Sequence, residues 1–185
     1  MIFHQTTLPG AFIIDLELRE DDRGFFARTF CRREMEEQGL SGDVMQCNAS
    51  YNHAAGTLRG MHLQIEPAPE PKLVRCTRGA IWDVIIDVRP GSPTFGQHIG
   101  VELTAENHRQ LYVPPLFAHG YQTLVDGTEV AYQVGEFYTP DTERSVRHDD
   151  PDLAIAWPLS VSAISAKDAD APLLREAFET QGAPQ

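Results

Sequence analysis

Along residues 81–88 (Ile-Trp-Asp-Val-Ile-Ile-Asp-Val), every even position is large and apolar, while the odd positions alternate Ile and Asp. A period of two marks a strand, because successive side chains leave opposite faces; it predicts one buried face and one partly polar face. Comparable runs occupy 44–50, 58–64, 73–77, 97–103, 110–113, 121–125 and 129–137. Turn-forming residues separate several of them: Arg78-Gly79, Arg89-Pro90-Gly91-Ser92-Pro93 and Asp126-Gly127. Asp126-Gly127, flanked by Leu124-Val125 and Thr128-Glu129, predicts a tight hairpin. Many short strands at regular spacing imply an all-β fold: a sandwich, a barrel or a jelly roll. Helix is scarce. One candidate spans 32–38 and stops at Gly39; another follows Asp170 as cap, with Pro172 in its first turn.

The 185 residues, 42% of them hydrophobic, fit a single domain over 1–185. Its tail from about residue 176 reads as loose. A chain of this length buries roughly 70% of its unfolded surface, enough for a core without disulfides or metal. The net charge of −12 argues against a general nucleic-acid binder, which needs a basic surface. It leaves room for an anionic small ligand held by a few clustered cations. No apolar run reaches the roughly 18 residues of a membrane span. The N-terminal MIFHQTTLPG lacks a signal-peptide pattern, and Cys31, Cys47 and Cys76 show no C-x-x-C spacing. These features predict a soluble, cytoplasmic protein with reduced thiols.

The densest polar cluster is Gly56-Thr57-Leu58-Arg59-Gly60-Met61-His62-Leu63-Gln64, with Lys72 and Arg75 close behind. It is either a basic strand edge or a small anion site with a titratable group inside. A metal site in a β-barrel would want a second His two residues after His62, and Gln64 stands there instead. No metal is expected. Arg59 and His62, three apart, fall on opposite strand faces unless Gly60 bulges the strand or Arg59 lies at a barrel mouth. Tyr132 and Tyr138 share strand parity unless Gly135 marks a bulge. Six strand residues span about 20 Å, the length of an extended sugar nucleotide. Ser165-Ala166-Lys167-Asp168 has the form of a helix-capping box. Asp168 either caps or orients a histidine, and spacing alone does not choose.

Eight stretches in order resemble the dTDP-4-dehydrorhamnose 3,5-epimerase family, over residues 9–174. They are Asp22-Arg23-Gly24-Phe25-Phe26, Gln46-Cys47-Asn48-Ala49-Ser50, the 56–64 cluster, Lys72-Leu73-Val74-Arg75-Cys76, Ser92-Pro93-Thr94-Phe95-Gly96, Pro114-Pro115-Leu116-Phe117-Ala118-His119-Gly120, Asp149-Asp150-Pro151-Asp152 and Ser165-Ala166-Lys167-Asp168. The resemblance implies a cupin-type jelly roll without metal or other cofactor, in a homodimer that exchanges strands. It also implies an enzyme that inverts carbons 3 and 5 of a dTDP-4-keto-6-deoxyhexose by proton transfer α to the 4-keto group. On this resemblance His62 is the base, Asp168 its carboxylate partner, Tyr132 the acid on the opposite face, and Lys72 the cation near the 4-oxygen. Arg23, Arg59 and His119 match pyrophosphate contacts, Tyr138 an aromatic beside the base, and Gln46, Asn48, Glu143 and Lys167 further ligand contacts.

Arg28 stands where the family usually has a nucleotide-contacting Glu, Cys47 where it has Asp, Leu63 where it has an aromatic, and Pro71 where it has Gly. Arg28 either faces the nucleotide or pairs with a surface carboxylate such as Glu17. Three alternatives stay open: inversion of one carbon only, a CDP- or GDP-linked substrate, and a sugar-nucleotide binder without turnover. The binder has no need of an acid and a base together, and the metal-dependent cupin is disfavoured by Gln64.

Overall fold

The computed structural model describes residues 1–178. Two antiparallel sheets face each other. The six-stranded sheet runs in the order β1 (Ile2–Gln5), β2 (Phe12–Asp15), β10 (Gln110–Val113), β7 (Lys72–Arg78), β12 (Thr128–Val134), β5 (Gln46–Asn52). The five-stranded sheet runs β13 (Glu143–Ser145), β6 (Leu58–Gln64), β11 (Phe117–Thr123), β8 (Ala80–Asp87), β9 (His98–Thr104). A separate hairpin pairs β3 (Arg19–Asp21) with β4 (Gly24–Phe26). Among the described residues there are three short α-helices, α1 (Arg32–Glu37), α2 (Ala166–Ala169) and α3 (Leu174–Phe178), and a 3-10 turn at Pro140–Thr142.

The two-residue period sorts β8 between two apolar layers. Ile81 and Ile85 face a core shared with Val74 and Val130 of the opposite sheet. Val84, Ile86 and Val88 pack outward under Val146, Leu153 and Leu174 from the C-terminal part of the chain. The partly polar face is thus the inner one: Asp83 and Asp87 share the side of Ile81 and Ile85, and both are fully buried. Asp87 is satisfied by Arg89, Ser92 and Thr94, while Asp83 has one oxygen bonded to His119.

Asp126-Gly127 does not close a hairpin. β11 and β12 lie in different sheets, so the turn carries the chain from one layer to the other. Gly127 takes φ +66°, the region the dipeptide signalled. The helix expected over 32–38 forms as α1. The later one starts at Leu174, and Asp170 caps the C-terminal end of α2 instead. α3 also covers the first residues of the expected loose tail, whose remainder lies outside the described residues.

Candidate active site

A cavity of about 810 Å³ opens between the two sheets. The five-stranded sheet contributes Arg59 and His62 from β6 and His119 from β11. The six-stranded sheet contributes Gln46, Asn48 and Ser50 from β5, Lys72 from β7 and Tyr132 from β12. Asp168 and Lys167 enter from α2, and Glu143 from β13.

A bulge brings Arg59 and His62 to the same wall. His62 pairs with His119 and Arg59 with Tyr121, so Gly60 and Met61 together oppose Gly120. Gly60 has φ +123°, and a Cβ there would collide with the backbone of Gly120. Of the two ways to reconcile this spacing, the bulge is the one the chain takes.

His62 Nε2 lies 2.7 Å from Asp168 Oδ1, and the Gly60 N–H donates to Oδ2 at 3.3 Å. Burial works to raise the Asp168 pKa, but the bond to His62 and the imidazole charge outweigh it and hold it below the usual carboxylate range. Asp168 is therefore an anion behind the ring, and the bond assigns the Nε2 proton, leaving Nδ1 with its lone pair. The capping reading holds as well, because Ser165 Oγ accepts the Asp168 backbone N–H. The cap uses the backbone of Asp168, and the histidine uses its side chain.

On the facing sheet, burial raises the Tyr132 phenol above its ordinary pKa, so it carries its proton at neutral pH. Lys72, with 7% of its side chain exposed, pairs with Glu70 at 3.0 Å and donates to the His62 carbonyl at 3.3 Å. It thus reaches across the gap between the sheets.

At the mouth, Lys167 pairs with Glu143 at 2.7 Å, and the Tyr138 hydroxyl donates to the same carboxylate at 3.0 Å. β12 ends at Val134, so Tyr138 reaches the cavity from the following segment rather than along the strand. Its backbone N–H is held by Gln46 Oε1 at 2.8 Å.

Gln64, at the position a second metal-binding His would take, is committed elsewhere. Its amide donates to the Ala68 and Phe137 carbonyls and accepts the Thr139 N–H.

The catalytic candidates all line the cavity, as do Gln46, Asn48, Arg59, His119, Tyr138, Glu143 and Lys167. Arg23 and Arg28 do not. The Arg23 side chain is 89% exposed and paired with Asp21, and Arg28 pairs with Glu34 at 2.8 Å. The surface pairing foreseen for Arg28 is present with Glu34 rather than Glu17, and both carboxylates also bind the N-terminal amine.

Sequence reading missed several participants. Arg59 Nε is held by Asn52 Oδ1 at 2.8 Å, and Asn52 and Ser50 both bond the Tyr121 hydroxyl. Asp83 Oδ1 sits 2.7 Å from His119 Nε2, with the other Asp83 oxygen buried and without a partner. The signal available was an Asp in the middle of an apolar strand, which needs a polar partner wherever it is buried.

A two-sheet roll with a histidine–aspartate pair on one wall and a protonated tyrosine on the other is equipped for acid–base chemistry. The comparisons with known proteins specify it further. The family model for dTDP-4-dehydrorhamnose 3,5-epimerase matches residues 5–176. The Salmonella typhimurium enzyme of that name is 41% identical over 183 residues, covering 98% of this chain and all of the relative. The Bacillus anthracis enzyme, solved with TDP and PPi bound, is 43% identical with a TM-score of 0.90, covering 93% of this chain and 98% of that one. A Legionella pneumophila epimerase in complex with dTDP-4-keto-L-rhamnose is 39% identical with a TM-score of 0.90, covering 97% and 95%. This chain belongs to the dTDP-4-dehydrorhamnose 3,5-epimerase family, and its fold is the cupin-like jelly roll of these enzymes.

Proposed function

We propose that this protein inverts carbons 3 and 5 of dTDP-4-dehydro-6-deoxyglucose, giving dTDP-4-dehydrorhamnose. The observation that carries the reading is the placement of base and acid on opposing sheets. Inversion removes a proton from one face of a carbon and returns one to the other, so a ring lying between the sheets meets His62 on one side and Tyr132 on the other.

His62 Nδ1 takes the proton α to the ketone, and the electron pair of the broken C–H bond moves to the 4-oxygen. Asp168 stabilises the imidazolium that forms. Lys72 faces the enolate oxygen, where fixed positive charge helps most. Tyr132 delivers its proton to the opposite face.

Arg59 and His119 contact the diphosphate, and Gln46, Asn48, Tyr138, Glu143 and Lys167 surround the rest of the nucleotide sugar. Arg23 reaches this kind of site from a second copy of the chain. In support, the β3–β4 hairpin stands apart from both sheets and exposes Phe25 at 48% and Phe26 at 69%. We read the protein as a single-domain homodimer, and sedimentation at micromolar concentration tests the dimer. Among the described residues no helix is long and apolar enough to cross a membrane, and Cys31, Cys47 and Cys76 are free thiols, as a reducing cytoplasm would keep them.

The direct test is incubation with the 4-keto sugar nucleotide in D2O, with NMR reading each carbon. Exchange with inversion at carbons 3 and 5 supports the proposal. Exchange at one carbon makes the enzyme a single-carbon epimerase, and tight binding without exchange makes it a binder.

A further inference from the structure

Lys72 has a buried partner to which neither the family motifs nor the reaction above gives a role. Glu70, on the segment leading into β7, places Oε1 3.0 Å from Lys72 Nζ, and their side chains are 12% and 7% exposed. Both line the cavity. Stability does not account for the pair, because taking two charges out of water offsets most of their mutual attraction.

The donor count of the ammonium does account for it. Lysine carries three N–H donors and no acceptor. One is directed at Glu70, and a second at the His62 carbonyl, 3.3 Å away on the opposite sheet. One is left for the cavity. A four-carbon stem with free rotors would otherwise spread Nζ over many positions. Two acceptors on different walls pin it.

We propose that Glu70 is a positioning residue for Lys72: with the His62 carbonyl, its carboxylate fixes the ammonium so that the third N–H meets the substrate oxygen where negative charge develops. The inference rests on the role given to Lys72 above. An interaction that strengthens as charge builds acts on the transition state, so its loss falls on kcat rather than KM. Glu70 itself need touch nothing on the substrate.

Two measurements test this. In steady-state assays on the 4-keto sugar nucleotide, Glu70→Ala lowers kcat by about tenfold or more, the size of one lost charge-assisted hydrogen bond, with KM within about threefold. Glu70→Gln keeps an amide oxygen that accepts from the ammonium and recovers most of that loss. In a Lys72→Ala background, Glu70→Ala adds less than about twofold, since the group it positions is gone. A loss carried in KM, or one of equal size with and without Lys72, overturns the proposal.

Crystal structures of the two Glu70 variants read the ammonium without turnover. Nζ leaves the His62 carbonyl in Glu70→Ala and stays in Glu70→Gln. Nζ unmoved in Glu70→Ala refutes the positioning role whatever the enzyme acts on. An inactive wild type in which Nζ still depends on Glu70 refutes only the assigned reaction.

Discussion

Asp168→Asn removes one charge and almost no volume, and the geometry sets its cost. The two carboxylate oxygens serve two donors, His62 Nε2 at 2.7 Å and the Gly60 N–H at 3.3 Å. An asparagine has one oxygen to offer. If it faces Gly60, its NH2 faces the imidazole and drives the proton from Nε2 to Nδ1, which leaves no lone pair for the substrate. If it faces His62, Nδ1 stays basic, but the imidazolium loses its counter-charge and Gly60 meets a second donor. A charge-assisted hydrogen bond contributes about 1.5–3 kcal/mol, and a charge pair at 4 Å near a protein surface about 4 kcal/mol. A loss of about 2–4 kcal/mol from the transition state lowers kcat roughly 30- to 1,000-fold. KM stays within about threefold, because both Asp168 oxygens are occupied by the protein itself. Deuterium uptake at carbons 3 and 5, followed by NMR at saturating substrate, measures the effect. Uptake within threefold of wild type would show that the His62–Asp168 bond has no part in proton removal.

Tyr132→Phe is expected to allow washout of the substrate proton without inversion, and normal inversion by this variant would move the acid role to another group. Asp83→Asn loosens His119 and is expected to weaken dTDP binding about tenfold by calorimetry while kcat changes little; an unchanged Kd sinks that expectation. Asp87 tests the pH dependence of stability. Its burial favours a raised pKa, but hydrogen bonds from Arg89, Ser92 and Thr94 outweigh this and bring it down to about 2. A carboxyl whose folded pKa lies below the unfolded one stabilises fully above about pH 4 and loses that contribution as pH falls toward 2. Wild type should therefore exceed Asp87→Asn by about 2 kcal/mol in urea unfolding at neutral pH, with the gap narrowing below pH 4. A gap independent of pH contradicts the assignment.

Much of this was legible in the sequence because strand periodicity is local. The runs 58–64 and 110–113 coincide with β6 and β10 residue for residue. β1 and β2 escaped notice, and β1 is largely solvent-exposed, so it presents no buried face to be read. The site divides in the same way. His62, Arg59 and Lys72 announced themselves as basic residues crowded into an acidic chain. Asp83 read as the polar side of an ordinary strand, since its partner His119 is 36 residues away and only the sheet makes them neighbours. Glu70 carried no signal of its own in the sequence, and only the fold sets it against Lys72. Arg28 was legible as a departure from the family but not as a contact, because its partner Glu34 depends on where α1 packs.

Placing base and acid on separate walls has a consequence for the catalytic cycle. With His62 as base and Tyr132 as acid, as proposed, the enzyme is not in its starting state after one inversion: His62 holds a proton it did not have, and Tyr132 lacks one it had. A second carbon cannot be inverted until that difference is erased. The His62 ring is about one-third exposed (34%), so it can return its proton to water, while burial makes the phenolate the less comfortable partner and hastens its recharging. Two inversions in one binding event therefore need a resetting step between them, imposed by the architecture and not by the sugar. Where that step is slow, the singly inverted sugar accumulates, and the ratio of intermediate to final product becomes a clock for proton exchange between the enzyme and water.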